Sequence, residues 1–174
     1  MSDPPVHLRP FREPDLEILT RFATDPAFSR PFQWGGFRSP EAYRRRWEKD
    51  GFLAQDPRHL VIAQPDETAL GWVGWRDPRP WEGKGVWEIG ALLAPEHRGR
   101  GAGTAGQRLL VQHLFDTTPA HRICAFTASD NLTEQRSLEK CGFRREGLLR
   151  GAGFRGGQWR DVVVYGVLRT DVPG

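Results

Sequence analysis

The clearest pattern of apolar and polar residues lies in the middle of the chain. Residues Ile89–Ala94 form a continuous apolar run that ends at Pro95, which is typical of a strand buried on both faces. Apolar residues then recur at helical spacing up to Phe115, with polar side chains such as Arg108 and Gln112 on the other side. This pattern predicts a buried strand and an amphipathic helix, joined by a glycine-rich connector.

Shorter patterns before this centre predict one strand, two helices and two further strands. Pro14 and Ser39 mark helix starts, because proline suits the first helical turn and serine caps it. Gly51 ends the second helix. In order, the predicted elements are a strand at 6–11, helices at 14–22 and 39–49, and strands at 59–63 and 70–76.

The segments after the central helix predict a strand, a helix and a closing hairpin. The strand spans Arg122–Ala128, and Asn131 begins a helix with Glu134 in a capping-box position. Gly142 ends that helix, and a last pair of strands turns near Arg155–Gln158. The chain therefore predicts seven strands and four helices in the order β-α-α-β-β-β-α-β-α-β-β.

Length and composition fit one domain over residues 1–174. No run of eighteen apolar residues and no basic-then-apolar N-terminus occurs, so we expect no membrane span, no signal peptide and a cytoplasmic location. The net charge of +3 is mild and the arginines are scattered, which does not favour nucleic acid as a partner. Cys124 and Cys141 lack metal-ligand spacing, so we expect reduced core cysteines and no metal.

The connector between the central strand and helix has the features of a phosphate-binding loop. Its three glycines alternate and are interleaved with arginines. Glycines let a ligand approach the backbone, and the first amides of a helix are unpaired and attract anions. The expected ligand is a diphosphate. The predicted contacts are the amides of Gly99, Arg100, Gly101, Ala102, Gly103 and Thr104 and the side chains of Arg98 and Arg100.

Two kinds of diphosphate ligand fit this loop. Residues Gly101–Gly106 satisfy G-x-G-x-x-G, with a strand and Asp130 following, as in dinucleotide-binding proteins. That motif is weak by itself, and two features oppose it. Pro95–Arg100 separate the strand from the first glycine of the motif, and the chain supplies one strand–helix–strand crossover instead of a repeated series.

The pattern Arg98-x-x-Gly101-x-Gly103 instead resembles the coenzyme A signature of the GNAT N-acetyltransferase superfamily. The segment Asn131–Phe143, which ends in E-K-C-G-F, is similar to the second signature of that superfamily. The tail Glu146–Arg169 resembles the closing hairpin of its RimJ/RimL-like branch, the ribosomal-protein-alanine N-acetyltransferases. The three motifs occur in the right order and the match covers most of residues 6–169.

This resemblance implies a fold, a co-substrate and several contacts. The fold is an α/β (α+β) domain with a mixed, mostly antiparallel seven-stranded sheet and about four helices, in which the fourth and fifth strands splay apart. The co-substrate is acetyl-CoA. Its pantetheine arm would bond the backbone of Leu92 and Leu93 at the strand end, and Asn131 would bond a pantetheine amide, cap its helix, or do both.

Acetylation of an amine requires a group that takes a proton from the ammonium ion. Burial raises the pKa of a carboxyl group, so a carboxylate in an apolar strand can do this near neutral pH. Glu88 is the only acidic residue in the central strand, and strand parity places it on one face with Gly90 and Leu92. The alternative is a strand-end glutamate in solvent, and Asp77 and Glu82 are weaker candidates for the base.

The sequence departs from the superfamily at two positions that would supply an acid for the leaving thiolate. This chain has Leu138 where the superfamily often carries a tyrosine, and Glu134 where Rim-type members usually carry a serine. A thiol has an ordinary pKa of roughly 8.5, so water or the ammonium proton can protonate the thiolate. Thr133 and Ser137 are the remaining hydroxyl donors nearby in the sequence. Asn131 matches the superfamily pattern and is the second candidate catalytic residue, beside Glu88.

In this superfamily the acceptor site lies between the first two helices and the last hairpin. The loop Phe28–Phe37 would form one wall, with Trp34 and Phe37 as substrate contacts and Glu88 beside the amine. The loop contains no acidic residue, which disfavours a polycationic acceptor. The hairpin Arg144–Arg160 carries five arginines, which favours an acceptor with a carboxylate.

The predicted function is transfer of acetyl from acetyl-CoA to a primary amine by direct attack in a ternary complex. The expected acceptor is a protein or peptide N-terminus or an amino-acid-like small molecule, and a homodimer is compatible with this prediction. One alternative is a non-catalytic acyl-CoA-binding module, since the tyrosine and the serine are absent. A nicotinamide-dinucleotide-binding oxidoreductase is the less favoured alternative.

Overall fold

The computed structural model describes residues 4–78 and 85–172. Within these ranges the strands are β1 (His7–Arg9), β2 (Arg58–Ala63), β3 (Ala69–Arg76), β4 (Val86–Leu93), β5 (Arg122–Ala128), β6 (Arg144–Arg155) and β7 (Gln158–Leu168). The α-helices are α1 (Leu16–Thr24), α2 (Pro26–Ser29), α3 (Pro40–Asp50), α4 (Ala102–Thr117) and α5 (Leu132–Lys140). Short 3-10 turns occupy Glu13–Asp15, Pro95–His97 and Arg169–Asp171.

The strands form one sheet with the order β1-β2-β3-β4-β5-β7-β6. Neighbouring strands are antiparallel, with the exception of β4 and β5, which are parallel and are connected through α4. A parallel pair needs such a crossover, because a tight turn can join only antiparallel strands. The predicted mixed, mostly antiparallel seven-stranded sheet is confirmed.

Strands β4 and β5 stay together over only a short stretch. Their register joins Val86–Glu88 to Arg122–Cys124 and stops there. The rest of β4, up to Leu93, parts from β5, while β5 continues to pair with β7 as far as Ala128. The splay that the resemblance implied is confirmed, and we call the opening between the two strands the central gap.

Apolar cores lie on both faces of the sheet because side chains alternate along each strand. On one face, Val73 and Ile89 belong to a buried cluster that includes the inner side of α4. On the other face, Trp72 and Leu92 pack in a second cluster with Leu19 of α1. Strand β4 contributes to both cores, as its continuous apolar sequence predicts.

Local capping residues mark some helix boundaries, although the side chain of Ser39 makes no capping bond to α3. Helix α3 begins after Ser39 and ends where Gly51 adopts a left-handed conformation with φ of +60°. Helix α2 lies outside the predicted elements because its four residues show no period. Asp25 caps α2 by accepting a bond from the amide of Ala27 at 2.8 Å, and Phe28 is fully buried.

In the described ranges, no helix is long and apolar enough to cross a membrane.

Candidate active site

The predicted phosphate loop follows β4 and leads into α4. Gly99 and Gly101 have φ values of +75° and +84°, a left-handed conformation that glycine adopts without strain. Helix α4 begins at Ala102, and the amide of Ala105 donates to the carbonyl of Gly101 at 3.0 Å. The amides between these two residues have no helical acceptor, so they are available to a diphosphate.

The two loop arginines differ in their contacts. The guanidinium of Arg98 donates to the carbonyls of Leu93 at 3.1 Å and Arg30 at 3.2 Å, and also to the carbonyl of Phe28. These bonds tie the loop to β4 and to the end of α2, and burial lowers the pKa of Arg98. Among the described residues, Arg100 has no hydrogen-bond or ion-pair partner. Arg98 therefore braces the loop, and Arg100 is the arginine whose donors are available to a phosphate.

The central gap exposes the backbone of alternate β4 residues. The amide of Ala94 donates to the carbonyl of Leu70, on the β3 side, at 2.9 Å. Because hydrogen bonding alternates along antiparallel strands, Leu92 also directs its backbone towards β3, whereas Ala91 and Leu93 direct theirs into the gap. The carbonyl of Leu93 is already bonded to the loop arginine, so its amide is the group left for a ligand.

Of the two predicted backbone contacts, Leu92 and Leu93, only Leu93 directs its backbone into the gap. Leu93 faces the central gap, while Leu92 contributes its side chain to the neighbouring cleft. Sequence reasoning missed Ala91, whose backbone also faces the gap. Its position can be assigned only when the pairing of β4 with β3 is known, because a shift by one residue would exchange the two sides of the strand.

A cleft of about 410 Å³ opens on the sheet face that carries α1 and α3. In its floor the facing residues of β3 and β4 are Trp72 with Leu92, Gly74 with Gly90, and Arg76 with Glu88. A Cβ on Gly90 would meet nothing within 4 Å, so a ligand can lie against the sheet backbone there, whereas the ring of His59 covers Gly74. Further lining side chains are Gln33, Arg38, Tyr43, Arg46, His59 and Phe126.

Glu88 lies in this cleft together with Gly90 and Leu92, on the face that strand parity predicts. Its carboxylate accepts two hydrogen bonds from Arg76, at 3.0 Å from Nε and 2.7 Å from Nη2. The side chain of Glu88 is 18% exposed, and the pairing raises the pKa of Arg76. Arg76 is a partner that sequence reasoning did not include, and its two bonds fix the orientation of the Glu88 side chain.

His59 is a cleft residue that sequence reasoning missed. It lies on β2 opposite Gly74, so close that a Cβ on that glycine would come within 2.7 Å of the imidazole ring. Burial, and then the charge of Arg46, lower the pKa of His59 to about 4, so the ring is neutral at pH 7. Its Nδ1 is buried and has no hydrogen-bond partner in the described part of the chain. No motif marks His59, because its place in the cleft depends on the register between β2 and β3.

A buried chain of polar side chains joins α4 to α5 behind the loop. Ser137 donates to the amide oxygen of Gln107 at 3.0 Å, and Gln107 donates to Glu134 at 2.5 Å. The hydroxyls of Thr104 and Ser137 are 2.8 Å apart. Since Ser137 uses its one proton on Gln107, Thr104 is the donor in that contact. Burial raises the pKa of Glu134. The hydroxyl of Thr104 is therefore occupied, and its backbone amide is what it can offer a cofactor.

The start of α5 carries the other residues named by the resemblance. The side-chain oxygen of Asn131 accepts a bond from the amide of Glu134 at 3.3 Å, so Asn131 caps the helix. This leaves the side-chain amide nitrogen for the predicted pantetheine contact. Leu138 is fully buried and Thr133 is exposed. A buried leucine at the tyrosine position cannot protonate a thiolate.

The predicted aromatic wall of the acceptor site is divided between the core and the surface. Phe28 is fully buried, whereas Phe37 is 78% exposed. Trp34 and Phe37 contact each other edge to face, with ring centroids 5.2 Å apart. The residues of this segment that line the cleft are Gln33 and Arg38. Trp34 and Phe37 are not among the lining residues of the cleft, and their contact with the substrate stays a prediction.

Of the two weaker candidates for a base, Asp77 is not a lining residue of the cleft. Asp77 is exposed, and its backbone amide donates to the side chain of Asp56 at 2.9 Å. Glu82 lies outside the described residues. Glu88 is therefore the predicted base that the described structure places in the cleft.

The hairpin arginines are partly occupied by ion pairs. Arg144 lies 3.0 Å from Asp171, and Arg155 lies 2.5 Å from Asp130. Arg155 also stacks over the ring of Phe32, 4.8 Å from its centroid. The stacking brings the hairpin turn against the aromatic loop. The arginine that lines the cleft from the loop side is Arg38, which the sequence prediction does not name.

A second, larger hollow of about 550 Å³ lies on the opposite side of the sheet, against α4. Its lining is almost wholly apolar and includes Leu60, Trp75 and Leu109. It shares neither the loop nor Glu88, so its size does not connect it to acyl transfer. The chemistry-bearing groups lie at the smaller cleft.

The central gap leaves backbone groups of β4 without a strand partner, and the free amides at the start of α4 suit a diphosphate. This is the arrangement of an acyltransferase that takes its acyl group from an acyl-coenzyme A. Comparison with known families agrees, since a family model described as "Acetyltransferase (GNAT) domain" matches residues 6–144. The chain belongs to the GNAT acetyltransferase family and is an N-acetyltransferase by class.

Individual relatives are distant. The chain is similar to the uncharacterized N-acetyltransferase YnaD of Bacillus subtilis (strain 168), with 22% identity over 164 residues and 94% of each chain covered. It is 31% identical to YdaF of the same organism, a candidate ribosomal N-acetyltransferase by name, over 50% of this chain and 48% of that one. The structure of spermidine N-acetyltransferase from Vibrio cholerae in complex with CoA and spermine superimposes with a TM-score of 0.80. It is 20% identical and covers 95% of this chain and 96% of that one.

Proposed function

We propose that this enzyme transfers acetyl from acetyl-CoA to a primary amine by direct attack in a ternary complex. The observation that carries the proposal is the junction of the central gap with the cleft. Ala91 directs its backbone into the gap and also lines the cleft beside Gly90. A thioester at the end of an arm in the gap would therefore meet an amine that lies in the cleft.

The glycine loop and the gap supply the cofactor contacts in this proposal. The amides of Ala102, Gly103 and Thr104, at the positive end of the α4 dipole, hold the diphosphate together with Arg100. The backbone of Leu93 and Ala91 bonds the pantetheine amides as a neighbouring strand would. Because these contacts involve backbone groups, they depend on the fold more than on the identity of the side chains.

The chemical step needs one base and no covalent intermediate. Glu88 takes a proton from the ammonium ion, directly or through a water molecule, and leaves a neutral amine. The amine nitrogen attacks the thioester carbonyl, the carbon–nitrogen bond forms and the carbon–sulfur bond breaks. The nitrogen loses its second proton as it becomes an amide, and the leaving thiolate takes up a proton in exchange, directly or through solvent, which suffices because a thiol has a pKa of roughly 8.5. The buried Leu138 agrees with a reaction that has no dedicated acid.

The acceptor in this proposal is a peptide N-terminus or an amino-acid-like amine, as in the RimJ/RimL-like branch. The partial match to YdaF supports that branch. The Vibrio cholerae relative acts on spermidine by name, but the charged side chains that line this cleft are arginines, with Glu88 as the one carboxylate among the described residues. We place the reaction in the cytosol, where the free buried cysteines would stay reduced.

A binding and turnover screen tests the proposal. Calorimetric titration compares CoA with NADH, and a thiol-release assay with acetyl-CoA then covers peptides, amino acids, polyamines and aminoglycosides. CoA binding together with an acetylated amine is the expected result. CoA binding with slow hydrolysis alone across the panel would favour a non-catalytic acyl-CoA-binding module. NADH binding without CoA binding would favour an oxidoreductase.

A further inference from the structure

The three arginines that line the cleft differ in the hydrogen-bond and ion-pair partners that the protein gives them. The cleft is lined by Arg38, Arg46 and Arg76, against Glu88 as the single carboxylate in the described lining. Arg76 is bonded to Glu88 through two nitrogen atoms. That pair is neutral as a unit, so any excess positive charge in the cleft comes from the other two arginines.

Arg46 is held by the protein itself. Its guanidinium donates to the carbonyl of Gln55 at 2.8 Å and also to the carbonyl of Pro57. It stacks over Phe52 at 5.2 Å from the ring centroid, and burial lowers the pKa of Arg46. These contacts fix the loop between α3 and β2, so Arg46 has a structural role.

Within the described ranges, Arg38 is the arginine of the cleft that has neither a carboxylate partner nor a backbone carbonyl to bond its guanidinium. Its backbone is fixed, because the amide donates to the carbonyl of Ala23 at 3.0 Å. Its guanidinium lies over the ring of Phe22, 5.5 Å from the centroid, which orients the charge without neutralising it. Its Nη1 is 3.5 Å from the hydroxyl of Tyr43, too far for a strong hydrogen bond. Within the described ranges no carboxylate pairs with Arg38.

We propose that Arg38 and Tyr43 form a carboxylate subsite, and that the acceptor is an amine that also carries a carboxylate. This inference rests on the proposed function, in which the amine lies beside Glu88. A guanidinium and a phenol hydroxyl that face the same space can each donate to one carboxylate, which satisfies both. The cleft then matches a zwitterion, with its ammonium group at Glu88 and its carboxylate at Arg38. Amino acids and peptides with an acidic residue near the N-terminus have this chemistry.

The same arrangement opposes a polyamine. Spermidine carries several positive charges, and one bound with an amine at Glu88 would bring a second cation towards Arg38. Like charges at close range are unfavourable, most of all in a site partly shielded from water. The subsite therefore separates this chain in substrate class from the relative named for spermidine.

Matched acceptors and one matched variant test the subsite. Amino acids are compared with their carboxamides, and dipeptides that begin with Asp or Glu with those that begin with Asn or Gln, with spermidine as the polycation. Each is assayed with wild-type enzyme, Arg38→Gln and Tyr43→Phe. Arg45→Gln is the control, because Arg45 lies on the exposed side of α3 and is not a lining residue of the cleft.

The wild-type enzyme should prefer the acceptor that carries the carboxylate. For that acceptor Arg38→Gln should raise KM at least about tenfold, since a charged hydrogen-bonding partner is lost. Tyr43→Phe should raise it by a smaller factor, roughly 2- to 10-fold. The KM for the carboxamide, the KM for acetyl-CoA and the kinetics of Arg45→Gln should stay unchanged.

The outcomes distinguish this inference from the function on which it rests. Acetylation of carboxamides or spermidine as fast as carboxylates would overturn the subsite and leave the acetyltransferase in place. An equal effect of Arg38→Gln on both members of a pair would do the same, because the arginine would then act on the cleft as a whole. Failure of the wild-type enzyme to acetylate any amine would overturn both.

Discussion

Among single residues, Glu88 carries the chemistry of the proposed reaction. Replacement by Gln keeps the shape of the side chain and an acceptor oxygen for Arg76, but the amide cannot take up a proton. We expect Glu88→Gln to lower kcat by about 10²-fold or more, to remove the acidic limb of the rate–pH profile, and to leave CoA affinity unchanged. Steady-state kinetics across pH and calorimetry with CoA measure these effects.

Glu48→Gln, on the exposed side of α3, is the matched control for this substitution and should retain the wild-type profile. If Glu88→Gln keeps its acidic limb, the proton acceptor is water or a carboxylate of the substrate. Full activity of the variant would exclude Glu88 from proton transfer altogether.

His59 couples the stability of the fold to pH. In the unfolded chain an imidazole takes up a proton near 6.5, whereas in the folded state its pKa is lowered to about 4. Acid therefore favours unfolding between these two values, and the wild-type protein should lose up to roughly 3 kcal/mol of its unfolding free energy as the pH falls through this window.

Denaturant titrations at several pH values measure this loss. His59→Phe should flatten the pH dependence, and His113→Gln, on the exposed side of α4, should not. An equally steep acid loss in His59→Phe would assign the effect to other groups.

At the residue scale, the sequence predicted which side chains share a face when all of them lie on one strand. Glu88, Gly90 and Leu92 share a face because alternate residues of a strand always do. Arg38 and His59 could not be assigned to the cleft in that way. Their positions depend on the loop after α2 and on the register of β2 with β3, and neither leaves a local pattern in the sequence.

At the scale of elements, boundaries were predictable where the capping residues are local. The strand Arg122–Ala128 has the predicted ends, and α3 stops at Gly51 as expected. The short helix α2 was missed although Asp25 and Pro26 form a local start signal, because its four residues are too few to show an apolar period. The hydrogen bonds of Arg98 to the carbonyls of Phe28 and Arg30 could not be predicted either, because these acceptors are distant in the sequence.

The first turn of α4 can be tested with one glycine. A Cβ on Gly103 would lie 3.4 Å from Cδ1 of Leu93, at the edge of the central gap. The branched side chain of Gly103→Val should press on Leu93 and crowd the free amides, so we expect the Kd for CoA to rise at least about tenfold. Circular dichroism should show an intact fold.

Gly147→Val on β6 provides the comparison, because a Cβ there meets nothing within 4 Å. Its CoA affinity should equal that of the wild-type protein. Unchanged CoA affinity in a folded Gly103→Val variant would remove the loop from cofactor binding.

At the scale of the whole molecule, the fold was predictable because three motifs fall in a fixed order along the chain. The family resemblance based on these motifs predicted that β4 and β5 splay apart, which no single segment of the sequence indicates. The cleft was less predictable, since its lining comes from several strands, helices and loops. Its charge balance follows from which arginines find partners, and partners become visible only in the folded structure.

Coenzyme A should stabilise the folded protein more than any free nucleotide does. A ligand at one hundred times its Kd adds about 2.7 kcal/mol, which for a chain of this length corresponds to a rise in Tm of roughly 5–10 °C. Differential scanning fluorimetry with CoA, and with NADH as the control, measures the shift. An equal shift with NADH would contradict a site selective for CoA.

In the proposed complex, the parting of β4 from β5 lets the coenzyme take the place of a neighbouring strand. The amides of the coenzyme would then bond the backbone of Ala91 and Leu93, where another strand would normally complete the ladder. We expect binding of the donor to join the two halves of the sheet through these bonds, and release of the free thiol to break the bonds again. Amide hydrogen exchange along β4 should accordingly slow when CoA is present, so that the turnover cycle is also a cycle of local ordering.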